Sequence, residues 1–359
     1  MTRPSDTMAI RPEELAAWTG DLVRGERRDA AEVRRLVDGV LAGTVDITSF
    51  GHWLLALADA GETAAEIAGV ASALRARMVP VSRGAAAVAD TCGTGGDGSG
   101  SFNISTAAGI VVAAAGQPVA KHGNRAVSSR TGSADVLERL GVKVDAPAAV
   151  SSRCLDALGL CFCLAPVHHP AMARVGPMRR SLGRPTVFNL VGPLCNPAGA
   201  DVQVIGVGRP AAREPLAEAA RQLGARRAVI VSGHIGDDDR TAFDEVSLFG
   251  PTDVIDVGPS SVTRSRWVPE DFGLATRTPA ELASLEVAGP DESAAAIREV
   301  LGGTPGPRRE VVVLNAAAVL WASARATDKP SARLLAERAI DSGAAASLLD
   351  RFAAMSQEP

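Results

Sequence analysis

The chain has 359 residues, 46% of them apolar and 22% charged, an ordinary globular composition long enough for one large domain and a smaller one. Thirty-seven basic against 41 acidic residues give a net charge of −4, without the basic blocks expected of a protein that lives on nucleic acid or an anionic membrane. No apolar run approaches a bilayer span, the N-terminus lacks a signal-peptide core, and the five cysteines show no metal-type spacing, so reduced, buried thiols in a cytoplasmic protein are expected.

Residues 1–82 read as helices alone. Asp29 with Glu32 (DAAE) and Thr63 with Glu66 (TAAE) form capping-box patterns. Gly43 and Gly61 fall at helix C-caps, and Pro80 closes the segment. Ile67, Val70, Leu74 and Met78 recur at helical spacing. Beyond Pro80 short apolar runs alternate with helical patterns. A strand is predicted at Ala86–Ala89, a helix from about Ser105, a strand at Pro118–Lys121 and a helix from Ser133 to Gly141. Further strands are predicted at Leu160–Leu164, Val202–Val207 and Ala228–Val231. Such alternation implies a mostly parallel sheet flanked by helices. Cys161 and Cys163 share one face of their strand. The Pro- and Arg-bearing stretch from Ala165 to Pro197 is too irregular for one element and too apolar for a disordered linker. It reads as a crossing between domains. Ala-rich helices around Glu310–Ala326 and Ala332–Ile340 read as scaffold.

The chemistry concentrates at strand exits. GTGGDG (Gly93–Gly98) precedes a helix that opens on Asn103-Ile104-Ser105-Thr106. Glycine-rich turns let N–H groups converge on an anion, and a helix N-terminus adds partial positive charge. No Gly-Lys-Ser/Thr ends the loop, so it is not a P-loop. Where a dinucleotide site wants an acid, the chain reads Gln117-Pro-Val-Ala-Lys121. The bland alternative is a plain flexible loop. KHGNRAVSS (Lys121–Ser129) leaves the next strand, bringing Lys121 and Arg125 to the same edge. Asp244-Glu245 could act together only at a turn, since neighbours in a strand point to opposite faces. Taken alone it reads as solvated surface, and Asp237–Asp239 as a plain loop. Arg179 and Arg180 lie in the crossing segment with His168 and His169. An arginine there could grip a carboxylate in two-pronged fashion, while the histidines lack a third metal ligand.

In order and at believable spacing, GTGGDG, NIST, KHGNR, GSADVLERLG (from Gly132), HPAM (from His169), FNLVGPLCNPA (from Phe188) and DEVS (from Asp244) resemble one family, the anthranilate phosphoribosyltransferases of tryptophan biosynthesis. The resemblance implies transfer of a phosphoribosyl group from phosphoribosyl pyrophosphate to the amine of anthranilate. It implies that Gly93, Gly96, Asp97, Ser101, Asn103, Ile104, Ser105, Thr106, Lys121, Ser129 and Ser133 hold the ribosyl donor. Gly93, His122, Asn124, His169, Arg179 and Pro193 would surround anthranilate, with Asp97, Ser105 and Arg179 carrying the catalysis. Two Mg²⁺ are implied, one on Ser105 and one on Asp244 and Glu245. The implied fold is a helical domain of residues 1–82, joined by a returning segment at about 166–188, and an α/β domain of residues 83–359, like that of nucleoside phosphorylases. A homodimer through the helical domain is implied, with no nucleic-acid or membrane partner. The alternatives are a pyrimidine nucleoside phosphorylase and an idle homologue that binds nucleic acid. The phosphorylase's Ser/Thr-Gly-Gly-Val-Gly-Asp loop is not seen. The chain departs from the usual family pattern at Val167, at Arg184-Pro185 and in the long acidic approach HIGDDDRTAFDE.

Overall fold

The computed structural model describes residues 10–126, 129–236 and 238–358, with backbone alone at 238–241. Four helices come first: α1 (Pro12–Val23), α2 (Ala30–Ala42), α3 (Ile47–Ala60) and α4 (Ala64–Arg75). Both capping boxes form. The Glu32 N–H donates to the Asp29 carboxylate at 2.8 Å and the Asp29 N–H to the Glu32 carboxylate at 3.0 Å; Thr63 and Glu66 repeat the exchange. Such a cap stabilises its helix by about 1 kcal/mol. Ile67, Val70 and Leu74 are buried, but α4 stops at Arg75, so Met78 lies beyond the helix.

Eight strands form one sheet: β1 (Ala89–Asp90), β2 (Val119–Gly123), β3 (Leu160–Leu164), β4 (Val202–Gly206), β5 (Arg227–Ile235), β6 (Asp238–Phe243), β7 (Thr252–Val257) and β8 (Val262–Trp267). Their order is β3-β2-β1-β4-β5-β7-β8, with β6 against β5. The five strands from β3 to β5 are parallel; β6, β7 and β8 are antiparallel. The parallel strands fall where apolar runs predict them. The last three do not. Four of the six residues of β8 (VTRSRW) are exposed, so no apolar run marks it. The acidic run expected to be a loop instead opens β6 at Asp238; Asp237 lies outside the described residues.

The remaining helices are α5 (Ile104–Ala114), α6 (Ser133–Arg139), α7 (Ala148–Leu158), the short α8 (Ala165–His168), α9 (Gly176–Leu182) and α10 (Val187–Leu190), then α11 (Arg213–Gln222), α12 (Pro290–Leu301), α13 (Pro307–Ala322), α14 (Lys329–Asp341) and α15 (Ala344–Ser356). Alternation along the strands divides the core. Val202, Val204, Val229 and Val231 join a cluster with α5 and the C-terminal helices. Ile205, Val207, Ala228 and Ile230 join the cluster of α1–α4. Val175, Val187, Phe188 and Leu190 of the crossing segment pack into this second cluster, and Phe188 meets Phe50 edge-on with ring centroids 6.2 Å apart. Ion pairs Arg184–Asp59 at 2.7 Å and Arg209–Glu62 at 3.3 Å, the latter on a buried carboxylate, tie the crossing segment and the stretch after β4 to α3 and the turn that follows it. No described helix is long and apolar enough to cross a membrane.

Candidate active site

β1 and β4 are neighbours from which the chain order runs outward in opposite directions. In open parallel sheets the crevice beyond the carboxyl ends at such a switch point takes ligands. The glycine loop leaves β1 there. Gly95, Gly96, Gly98 and Gly100 have φ of +69°, +87°, +74° and +67°, which residues with a Cβ rarely adopt. A Cβ at Gly95, Gly96 or Gly98 would meet nothing within 4 Å, so glycine is needed for backbone shape, and the rim is open. Among the described residues the N–H groups of Gly95, Gly96, Asp97 and Gly98 have no intramolecular acceptor. Successive free N–H groups in such a turn make a concavity for an anion.

The loop is anchored around this rim. The Thr94 N–H donates to the Gly206 carbonyl at the end of β4, at 2.8 Å. The Asp97 carboxylate accepts the Ser99 N–H at 2.9 Å and the Asp244 N–H at 3.3 Å. Further along, the Phe102 N–H donates to Leu285 O at 2.9 Å and the Val287 N–H to Gly100 O at 3.1 Å, while Ser101 bridges to Glu286.

At the start of α5, the Ser105 N–H donates to the Glu245 carboxylate at 3.1 Å. The buried Lys121 ammonium donates to Ser105 Oγ and Thr91 Oγ1, both at 3.2 Å. Asp244 and Glu245 follow β6 in a bend, the turn their joint action requires. Burial comes first in pushing the Glu245 carboxyl up to about 8, opposed by Lys121 and reinforced by Asp97. Burial, Asp97 and Glu245 push Asp244 well above the usual range. Asp97, Asp244 and Glu245 thus disfavour one another's charge, with Lys121 offsetting Glu245. The donors are all oxygen, the ligand type of Mg²⁺, and the local shortage of positive charge suits a divalent ion. No three such groups among the described residues converge as a ready-made metal centre.

Ile104 is buried in the core, so its backbone alone can serve a ligand. The Thr106 hydroxyl is also buried, without a partner. Asn103 points its amide oxygen at Thr131 and Ser293. Ser133 Oγ donates to Asn124 O at 3.4 Å at the exit of β2, and the Asn124 side chain is exposed. Ser129 is exposed and donates to Thr131 O. Arg125, expected near the ligand, is an exposed residue paired with Glu138 at 2.6 Å and Asp135 at 3.3 Å; it braces α6 instead.

A second cluster lies under the FNLVGPLCNP segment. The His122 ring donates from Nδ1 to Gly192 O at 2.9 Å, and the His169 ring from Nε2 to Cys195 O at 3.1 Å. Their centroids are 5.2 Å apart. The opposite nitrogens, His122 Nε2 and His169 Nδ1, are buried without partners. Burial lowers His122 to about 3 and His169 to about 4, so both rings are neutral acceptors at physiological pH. Buried Pro193 follows Gly192, whose carbonyl holds the His122 ring. Arg179, on α9, stacks over the Phe188 ring at 4.9 Å with no acidic partner among the described residues. Exposed Arg180 has no such setting.

Several residues that shape the site carry no motif. Asp90 is fully buried and pushed up to about 6, first by burial; it accepts from Asn196 Nδ2 at 2.8 Å and from the N–H groups of Cys92 and His122. Asn315, in α13, accepts the Val246 N–H at 2.9 Å and donates to Val246 O at 3.1 Å. A lone amide inside VVVLNAAAVL is the signal that could have marked it. A Cβ on Gly206 would stand 1.6 Å from Asp244 O, so β4 and the acidic bend touch backbone to backbone.

Comparison with known proteins agrees along nearly the whole chain. Residues 85–346 match the a/b domain of the glycosyl transferase family and residues 16–78 its helical bundle domain. An anthranilate phosphoribosyltransferase of Moorella thermoacetica is 44% identical over 340 residues, 95% of this chain and 98% of the relative. The crystal structure of anthranilate phosphoribosyltransferase from Thermus thermophilus aligns with TM-score 0.86 at 39% identity, covering 95% of this chain and 99% of that one. The Saccharomyces cerevisiae enzyme in complex with PRPP and Mg aligns with TM-score 0.85 at 27% identity, covering 96% and 98%. By fold and by descent, this chain belongs to the anthranilate phosphoribosyltransferase family.

Proposed function

We propose that the protein transfers the 5-phosphoribosyl group of phosphoribosyl pyrophosphate to the amine of anthranilate, releasing pyrophosphate, the second step from chorismate to tryptophan. The observation that carries this is the open rim of unpaired N–H groups at residues 95–98, set beside Lys121 and the Asp97, Asp244 and Glu245 carboxylates. That combination fits a diphosphate accompanied by divalent cations. The relatives named above support the transferase and neither alternative.

In this scheme the diphosphate lies along Gly93, Gly96, Asp97 and Ser101 and over Asn103, Ser105 and Thr106, with Ile104 contributing backbone. Lys121, Ser129 and Ser133 hold the rest of the donor. Ser105 would hold one Mg²⁺, and Asp244 with Glu245 a second. Magnesium supplies neutralisation of the departing diphosphate's charge. The residues do the rest by alignment and fixed dipoles. The anthranilate nitrogen forms its bond to ribose C1 as the C1–O bond to diphosphate breaks, through an oxocarbenium-like centre. The electron pair leaves with the diphosphate, and the amine gives up one proton to water. An aromatic amine is unprotonated near neutral pH, so no strong base is required, and the neutral His122 and His169 rings would line its pocket. Arg179 would take the anthranilate carboxylate, with Asn124, Gly93 and Pro193 completing that pocket.

The proposal extends to domain organisation: a helical domain to which the segment at about 166–188 returns, and an α/β domain of residues 83–359. It includes a homodimer formed through the helical domain, open to light scattering, and a cytoplasmic location. The test of activity is the loss of anthranilate fluorescence on mixing with phosphoribosyl pyrophosphate and Mg²⁺. Consumption that stops with EDTA and resumes with added Mg²⁺ is expected. No consumption by the folded protein under these conditions would overturn the assignment.

A further inference from the structure

Asn103 stands at the N-cap position of α5, yet its side chain makes no capping bond. Its amide oxygen instead accepts two hydroxyl protons, from Ser293 at 2.8 Å and Thr131 at 3.0 Å. The Ser293 oxygen also accepts the Asn103 N–H at 3.1 Å. The Ser293 oxygen has two lone pairs, so it accepts this N–H and still donates its own proton; with the amide oxygen toward both hydroxyls, the two hydroxyl protons and the Asn103 N–H are all used. Ser293 is fully buried in the first turn of α12, and Thr131 is 7% exposed. Asn103 itself is partly exposed. Its Nδ2 group has no partner among the described residues. The amide is therefore held by its oxygen from two sides while its two donors stay free at the head of α5.

We propose that Ser293, together with Thr131, is a positioning residue for the ribosyl donor: the two hydroxyls lock the Asn103 amide so that Nδ2 is presented to the diphosphate at the α5 N-terminus. This rests on the function proposed above. The C-terminal helical region thereby takes part in substrate recognition through a contact spanning 190 positions. An amide fixed in the free protein loses little rotamer freedom when it donates. With one hydroxyl gone, the amide can flip or rotate, and the donor must order it.

The test is steady-state kinetics on the full chain, with calorimetric titration of phosphoribosyl pyrophosphate and thermal melts. Ser293→Ala and Thr131→Val each raise the KM and Kd for the ribosyl donor about three- to tenfold, leaving kcat and the anthranilate KM within about twofold. Thr131→Ser, which keeps the hydroxyl, restores the parent values, and serves should Ser293→Ala fold poorly. In an Asn103→Ala background neither substitution raises the donor KM further, because the group they act through is absent. A lowered melting temperature with unchanged donor KM and Kd in both single variants would overturn the inference while leaving the function standing, provided that Asn103→Ala itself weakens the donor. No effect of Asn103→Ala on donor binding would overturn the inference together with the proposed donor site.

Discussion

Gly206→Ala is the sharpest probe of how the site is built. The new methyl carbon would lie 1.6 Å from Asp244 O and 2.4 Å from Asp244 C. Both are backbone atoms, so no side-chain rotation relieves the clash. To reach the 3.0 Å limit seen for real contacts, β4 and the acidic bend must separate by about 1.4 Å, a strain costing about 1–3 kcal/mol. The same movement pulls on two functional segments. The Gly206 carbonyl accepts the Thr94 N–H at 2.8 Å, and the Asp244 N–H donates to Asp97 at 3.3 Å. Misplacing reacting groups by about 1 Å costs about 100-fold in rate, so kcat/KM should fall at least that far while the protein remains folded. Gly61→Ala, away from the glycine rim, is the control. Its φ of +72° is strained for alanine, but its Cβ would meet nothing within 4 Å, so it should cost about 1–2 kcal/mol of conformational strain without driving β4 from the bend. Urea denaturation and initial-rate kinetics on both variants measure the two effects. A folded Gly206→Ala enzyme within threefold of parental kcat/KM would refute the claim that this backbone contact sets the geometry of the carboxylates.

Three other outcomes follow from the geometry. Arg179→Ala should raise the anthranilate KM about 10- to 100-fold and the donor KM little, and Arg179→Lys should recover little of it because a point charge lacks the planar fork; equal effects on both substrates would count against this role. The His122 ring, lowered to about 3 against an ordinary 6.5, is neutral in both folded and unfolded chains above pH 6.5. Below that the unfolded chain takes up the proton first, so stability drains away as pH falls from about 6.5 toward 3. His122→Asn, whose amide can still donate to Gly192 O, should lose less stability than the parent between pH 7.5 and 4.5, as read from urea midpoints; equal losses would mean that the ring is not held neutral. Asn315→Leu leaves the buried Val246 N–H and carbonyl without their amide partners. It should cost about 1–3 kcal/mol for each group left unpaired and depress turnover through the adjacent Glu245, by chemical denaturation and initial rates; unchanged turnover would show that the acidic bend holds its shape unaided.

What can be read from the sequence is whatever a few adjacent residues settle among themselves. The caps at Asp29 and Thr63, the left-handed run of Gly95, Gly96 and Gly98, and the buried strands β2 to β5 each follow from local chemistry, since the demand and the residue that meets it sit within one turn or one strand. The paired strand exits at GTGGDG and KHGNR are legible for the same reason. What escapes is set by pieces of chain that are distant in sequence. Nothing near Gly206 distinguishes it from the other glycines until Asp244 folds against it, and nothing in DESAAAI shows that Ser293 will face Asn103. β8 escapes because one neighbour and solvent are enough for it, so it needs no apolar run. Arg125 shows the converse: it sits inside the KHGNR motif expected at the ligand, yet Glu138 and Asp135 claim its guanidinium, so membership of a motif does not decide where a side chain points. The loop that would wrap a diphosphate thus announces itself in glycine, while the groups that hold it in shape are ordinary hydroxyls and amides. Their role comes from three-dimensional packing, because a buried donor or acceptor must find a partner wherever the fold provides one.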